Sequence, residues 1–204
     1  MSIKYNILQE NIEMNNEITV KLNCSIKEFC DLLENKKFAV VQKFTLNDTF
    51  FIPKDLDLNN MSHREILSKA VILRDIKEFM PEQNIIKLTF KSKQIDEREN
   101  ILSQSKVDCE ILDVEKGRTF IEAIGYKKLM NIKENDTVYE KDDLQIEIKD
   151  IENGDNLIEV ETVDDNNELN SIDKIKQKIR ELNIPIDTND YFIKKAEIEL
   201  AKIL

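Results

Sequence analysis

The segment NEITVKLN, residues 16–23, alternates strictly. Ile18, Val20 and Leu22 fall on one side of an extended chain, and Glu17, Thr19 and Lys21 on the other. This period of two marks a strand with one apolar face and one face that carries a carboxylate and an amine. The charged face has two destinations, bulk water or an enclosed site that uses both signs together, and the rest of the sequence has to decide between them.

With 204 residues and a mass of 24.0 kDa, the chain suits one domain with a substantial core. Charged residues make up 35% and hydrophobic ones 41%, with a net charge of -11. That balance argues against nucleic acid and anionic membrane as partners, since both call for a basic surface. The opening MSIKYNILQENIEM breaks its apolar residues with Lys4, Glu10 and Glu13, unlike a signal peptide, and no run approaches the roughly 20 apolar residues of a membrane span. A cytoplasmic location is therefore expected. Cys24, Cys30 and Cys109 are odd in number and form no C-x-x-C pair, which fits a reducing compartment and buried thiols. Glycine occurs only at 117, 125 and 154, excluding a Walker A loop and a G-x-G-x-x-G fingerprint. The single histidine, His63, lies in the polar stretch NNMSHRE and reads as a surface residue, so chemistry built on paired histidines is not expected.

Outward from the first strand, CSIKEFCDLLENKKF spaces Ile26, Phe29, Leu32 and Leu33 as a helix face, with Ser25 and Glu28 forming a capping box. FAVVQKFTLNDTFFIP reads as strand, LND turn and strand, stopped at Pro53. KDLDLNNMSHRE is a loop or short helix. ILSKAVILRDI, NIIKLTFKSK and KVDCEILD are further strands, and EKGRTFIEAIGY is a short helix ended by Gly125. KKLMNIKEN, TVYEKD, LQIEIKDIE and NLIEVETVD continue the meander as short strands, with D-D and N-G-D-N as turn signals. ELNSIDKIKQKIRELN places Ile172, Ile175, Ile179 and Leu182 on one helix face, and DYFIKKAEIELAKIL follows as a final amphipathic helix. Both helices are expected to cover an apolar sheet surface.

Mixed charge on one face recurs along the meander. Lys106, Asp108 and Glu110 alternate with Val107, Cys109 and Ile111; Glu159 and Glu161 alternate with Ile158 and Val160; Arg74, Lys91, Lys133 and Asn135 sit in similar patterns. An antiparallel sheet with one wet face accounts for such alternation by itself. If the helices occupy the apolar side, however, the polar side curls inward. Like charges about 4 Å apart there repel by about 4 kcal/mol at an effective dielectric near 20. A divalent metal and a polyphosphate relieve both signs at once, because carboxylates suit Mg²⁺ or Mn²⁺ while lysine and arginine hold phosphate oxygens.

In this ordered set of strands the sequence resembles the CYTH superfamily, the triphosphate tunnel metalloenzymes that include class IV adenylate cyclases and thiamine triphosphatases. Glu17, Thr19 and Lys21 occupy the family's E-x-E-x-K motif. AVILRD with Arg74, LTFK with Lys91, KVDCE with Lys106, Asp108 and Glu110, IKEN with Lys133, and IEVE with Glu159 and Glu161 follow in the family's order, and the NDTFF segment and a terminal helix with Tyr191 match as well. The resemblance covers roughly residues 16 to 200. It implies an α+β fold, an eight-stranded antiparallel β-barrel or tunnel with flanking helices. Residues 16–204 would form a single CYTH-like domain after an N-terminal extension of residues 1–15.

The resemblance also implies a site. Lys21, Arg74, Lys91, Lys106 and Lys133 would bind phosphate, Glu17, Asp108, Glu110, Glu159 and Glu161 would hold Mg²⁺ or Mn²⁺, and Lys21 would have a catalytic role. The substrate would be a triphosphate-containing small molecule such as tripolyphosphate, thiamine triphosphate or ATP, and a homodimer is compatible with it. Several positions depart from the pattern. Thr19 stands at the second glutamate, Ile72 at the first arginine of an R-x-R pair, Asn135 at the arginine of K-x-R, and Lys149 at an aspartate, with Asp150 beside it. The expectation is thus a metal-dependent triphosphatase, with a catalytically weak or inactive polyphosphate- or nucleotide-binding member, or an adenylate cyclase, as alternatives.

Overall fold

A computed structural model describes residues 18–80, 82–95, 101–142, 144–162 and 172–204. Glu17 and the expected extension, residues 1–15, lie outside the described residues. The alternating segments form one antiparallel sheet. Its strands are β1 (Ile18–Lys21), β2 (Ala39–Pro53), β3 (Val71–Phe79), β4 (Glu82–Ile95), β5 (Ile101–Ile111), β6 (Tyr126–Lys141), β7 (Leu144–Ile151) and β8 (Asn156–Thr162), in the spatial order β1-β8-β7-β6-β2-β3-β4-β5. Among the described residues five helices accompany it: α1 (Ile26–Asn35), α2 (His63–Leu67), α3 (Val114–Ala123), α4 (Ile172–Leu182) and α5 (Lys195–Leu200). Among the described residues, β1 and β5 end the ladder and are not joined to each other by strand pairing.

One expected turn and one expected break between strands are absent. The LND segment lies inside β2, an unbroken 15-residue strand, and Asn135-Asp136 lies inside β6, which runs for 16 residues. These polar residues continue the ladder because β2 pairs with β3 on one side and β6 on the other through this region: Leu46 is opposite both Ile76 and Glu134, and Asp48 opposite both Arg74 and Ile132. The turns expected at D-D and N-G-D-N are present, with the backbone entering the left-handed region at Asp142 between β6 and β7 and at Asn153 between β7 and β8.

Helices cover the outer face of the sheet. Ser25 caps α1 through the expected capping box with Glu28. Phe29 and Leu33 of α1 and Ile175 and Ile179 of α4 pack on Ile18, Val20, Ile146, Ile148, Ile158 and Val160 of β1, β7 and β8. Ile121 of α3 packs on Phe51 and Leu73 of β2 and β3. A third cluster belongs to the inner face. Phe50, Ile72, Met130, Ile132 and Leu157 meet Ile66 of α2 and Ala196 and Leu200 of α5, so these two short helices plug one end of the curled sheet with apolar side chains.

The last expected helix is therefore much shorter than its amphipathic pattern suggests, and it sits on a different surface. Residues 185–193 run extended along the free edge of β1: Thr19 N donates to Tyr191 O at 3.1 Å, Ile193 N to Thr19 O at 3.1 Å, and Asp187 N to Lys21 O at 2.8 Å. Unpaired edge groups are costly to leave open, and this segment satisfies them.

Ile158 is fully buried between β1 and β7. Ile158→Ala leaves a cavity there and is expected to lower unfolding stability by about 2–5 kcal/mol. Chemical denaturation reads this as a lower midpoint at unchanged m-value; a change below 0.5 kcal/mol would mean that the outer layer repacks freely.

Candidate functional site

Above the apolar plug, the inner faces of the strands enclose a cavity of about 420 Å³. Thr19, Asp48, Arg74, Lys91, Glu147, Lys149 and Glu159 reach it from six strands, while Arg64 of α2 and Lys194, Lys195 and Glu197 of the tail close its side. The charged face of β1 thus looks inward, as an enclosed site requires.

Buried charges here are matched in detail. Arg74 donates from Nε and Nη2 to the two oxygens of Asp48 at 2.8 and 2.6 Å, and Asp48 is only 1% exposed. Burial opposes the Arg74 charge, but the hydrogen bonds and charge of Asp48, helped by Glu134 and Asp108, outweigh it and raise the pKa. Lys149 points inward between two carboxylates, bonding Glu147 and lying 3.4 Å from Glu159. Burial again opposes the charge, and Glu147, Glu159, Asp136 and Glu134 together raise the pKa. Lys195 bonds the buried Glu134, and Arg64 grips Glu197 with Nε and Nη2 at 3.0 and 3.3 Å.

The residues expected from sequence separate into groups. Arg74, Lys91 and Glu159 line the cavity, and Glu161, opposite Gln145 in the register that sets Glu159 opposite Glu147, shares the inner face. Lys21 is on this face but at its end, 44% exposed and 2.6 Å from Asp155. Lys106, Asp108 and Glu110 share a face with Lys91, Thr89 and Lys87 on the terminal strand pair, outside the cavity lining. Asp108 accepts from Thr89 Oγ1 at 2.7 Å and from Lys87 and Lys106 at 3.0 Å each. Partial burial would raise its pKa, but these donors hold it down to about 2. Lys133 and Asn135 point away from the cavity, beside Thr45, Asn47 and Asp75 in a separate outer hollow. The register explains this: Lys133 pairs with Asn47, whereas Glu134 pairs with the inward Leu46 and Asp136 with the inward Phe44.

No family model matches the sequence. A protein of Methanocaldococcus jannaschii named "Putative adenylate cyclase" is 25% identical over 186 residues, spanning 90% of this chain and 96% of the relative. Among solved structures, the PH1819 protein of Pyrococcus horikoshii superposes with a TM-score of 0.64 at 19% identity, over 91% of this chain and 98% of that one. HpAC1 of Hippeastrum, described as a "putative adenylyl cyclase" that reveals a dominant triphosphatase activity, gives 0.54 at 17% identity over 92% and 96%. These likenesses show that the chain shares the fold of these proteins.

A metal held in this cavity needs carboxylates on the inner face. Glu159 and Glu161 lie two residues apart on β8, and their inner-face location fits Mg²⁺ or Mn²⁺, which take one or two carboxylates and complete their shell with waters and phosphate oxygens. Thr19, in register with Glu159, adds no carboxylate. Asp108 and Glu110 do not join this pair in the cavity lining, and among the described residues no three acidic, histidine or cysteine side chains gather as a ready-made cage.

Sequence reasoning missed Asp48, Arg64, Glu134, Asp136, Glu147 and Lys195. A signal existed for three of them. Met130 and Ile132 face the plug, so counting in twos reaches Glu134 and Asp136, and Glu147 alternates with Ile146 and Ile148 in step with Lys149. Arg64 and Lys195 had none, because short helices bring them from distant segments.

Asp136 is 2% exposed and neither of its oxygens has a hydrogen-bond partner. Burial, with the Glu134 carboxylate next, pushes its carboxyl up to about 9 from an ordinary 3.8, against the smaller pull of Lys149 and Lys195. The folded protein therefore keeps a proton that the unfolded chain releases. Its contribution to stability is whole below pH 3.8 and is lost as the pH rises through about 9. Between pH 5 and 9 the melting temperature of the wild type is expected to fall more steeply than that of Asp136→Asn. Parallel profiles would show that Asp136 is ionised in the fold.

Proposed function

We propose that this protein binds the phosphate chain of a triphosphate-containing small molecule in the cavity and hydrolyses it with the help of Mg²⁺ or Mn²⁺. One observation carries the reading: cations from separate elements, Arg74 of β3, Lys91 of β4, Lys149 of β7 and Lys195 of α5, line the same cavity as the β8 carboxylate Glu159. The names of the similar proteins, one an adenylate cyclase and one with triphosphatase activity, point to the same substrate group.

Asp48 holds the Arg74 guanidinium in one orientation, so its charge is presented to a phosphate without being reorganised. Lys91 adds a second cation on the neighbouring strand. Glu159 and Glu161 would hold the metal, which supplies Lewis-acid polarisation of a phosphoryl oxygen and a more acidic water. The apolar plug of α2 and α5 closes the far end and keeps water from entering behind the substrate. Lys21, tied to Asp155 at the end of the inner face, suits a role at the entrance better than one at the reacting phosphorus. A second reading, binding without turnover, is favoured by Thr19 opposite Glu159 and by Lys149 bridging that same carboxylate.

Phosphate release from tripolyphosphate, thiamine triphosphate and ATP, each with Mg²⁺ and with Mn²⁺, tests both. Release from at least one substrate is expected. Lys91→Ala should raise KM about tenfold, the loss of one charge-assisted contact, and Glu159→Ala should lower kcat by about 100-fold. Binding seen by calorimetry without release would establish the second reading. Cyclic AMP formed from ATP would replace both with a cyclase.

A further inference from the structure

The inner wall at β6 and β7 has the opposite polarity to the one that the CYTH resemblance implies. A K-x-R pair is implied on β6, yet the β6 side chains on the inner face are Glu134 and Asp136. An aspartate is implied at 149, yet Lys149 stands there, in register with Asp136. Glu134 is 2% exposed, and its Oε2 has no hydrogen-bond partner. The lysines of this wall are held by carboxylates: Lys195 by Glu134, and Lys149 by Glu147 and Glu159. Two lysines thus face three carboxylate side chains, Glu134, Glu147 and Glu159, so acidic groups outnumber basic ones on this wall.

This arrangement penalises ligands unequally. A phosphate that draws Lys195 or Lys149 toward itself leaves a buried carboxylate unpaired, and the cost rises with every cation the ligand enlists. A ligand of lower charge enlists fewer of these cations, and Arg74 keeps Asp48 as it binds. A free inorganic chain carries more charge than an esterified one of the same length and has no neutral end to lay against the acidic wall. Resting on the triphosphate reading above, we propose that Glu134 and Glu147 are specificity-determining residues that restrain Lys195 and Lys149 and bias the cavity toward phosphate esters over free inorganic tripolyphosphate.

The test is calorimetric binding of tripolyphosphate and of ATP, both with Mg²⁺, to the wild type, Glu134→Gln and Glu147→Gln. Both substitutions keep side-chain size and remove one charge, and a melting curve establishes that each variant is folded. The wild type is expected to bind ATP more tightly than tripolyphosphate. Each variant should gain about tenfold for tripolyphosphate, from one repelling charge removed nearby, and less than threefold for ATP. An unchanged ratio of the two affinities in whichever variant is folded overturns the assignment and leaves the triphosphate reading standing. If the wild type binds neither ligand and a variant gains tripolyphosphate, the restraint is established and the natural ligand is another one. If nothing binds to any of the three, both readings fall.

Discussion

Charge neutralisation on the inner face is the constraint around which the rest of this structure is arranged. Once helices cover the apolar side of an alternating sheet, the polar side has to curl inward, and each ionised group carried there needs a partner. The solutions differ along the cavity. Asp48 and Arg74 satisfy one another across neighbouring strands in a bidentate pair. Lys149 shares itself between Glu147 on its own strand and Glu159 on the next. Glu134 is paired by a cation from α5. Asp136, left over, is neutralised by a proton instead. The same principle explains why LND and Asn135-Asp136 are not turns: in this sheet, their carboxylates belong to the inner face of continuous strands.

Much of the fold was legible because period-two alternation survives in strands such as β6 and β7. NEITVKLN gave the correct faces for β1, and the helices α1 and α4 follow from the spacing of Phe29 and Leu33 and of Ile175 and Ile179. What misled was local chemistry read without its tertiary context. Asn and Asp favour turns in isolation, yet within β2 and β6 a ladder on both sides outweighs that preference. The site was legible in part for the same reason. Arg74, Lys91 and Glu159 lie on faces fixed by their own strands' alternation. Lys133 and Asn135 were assigned to the inner face from the motif, and a register displaced by one residue turns them outward and brings Glu134 and Asp136 in. Where a motif and the apolar period of its own strand disagree, the period is the better guide, since buried Met130 and Ile132 anchor the register more strongly than any solvated lysine.

The C-terminal segment joins stability to the site. Residues 185–193 complete the hydrogen bonds of the β1 edge, Ala196 and Leu200 fill the plug, and Lys195 and Glu197 meet charges at the cavity side. Its backbone, apolar and ionic contacts are made within about one short stretch of chain, so none can be lost alone. If the tail lifted from the plug, Glu134 would lose its cation and β1 would regain an open edge at the same moment. The apolar plug therefore does more than fill space: the burial of Leu200 and Ala196 opposes the desolvation of the Lys195–Glu134 pair, which by itself would gain little from leaving water. Hydrophobic burial at the closed end of the tunnel is what makes a charged wall affordable beside it, and the polarity of that wall is set as much by the tail as by the strands.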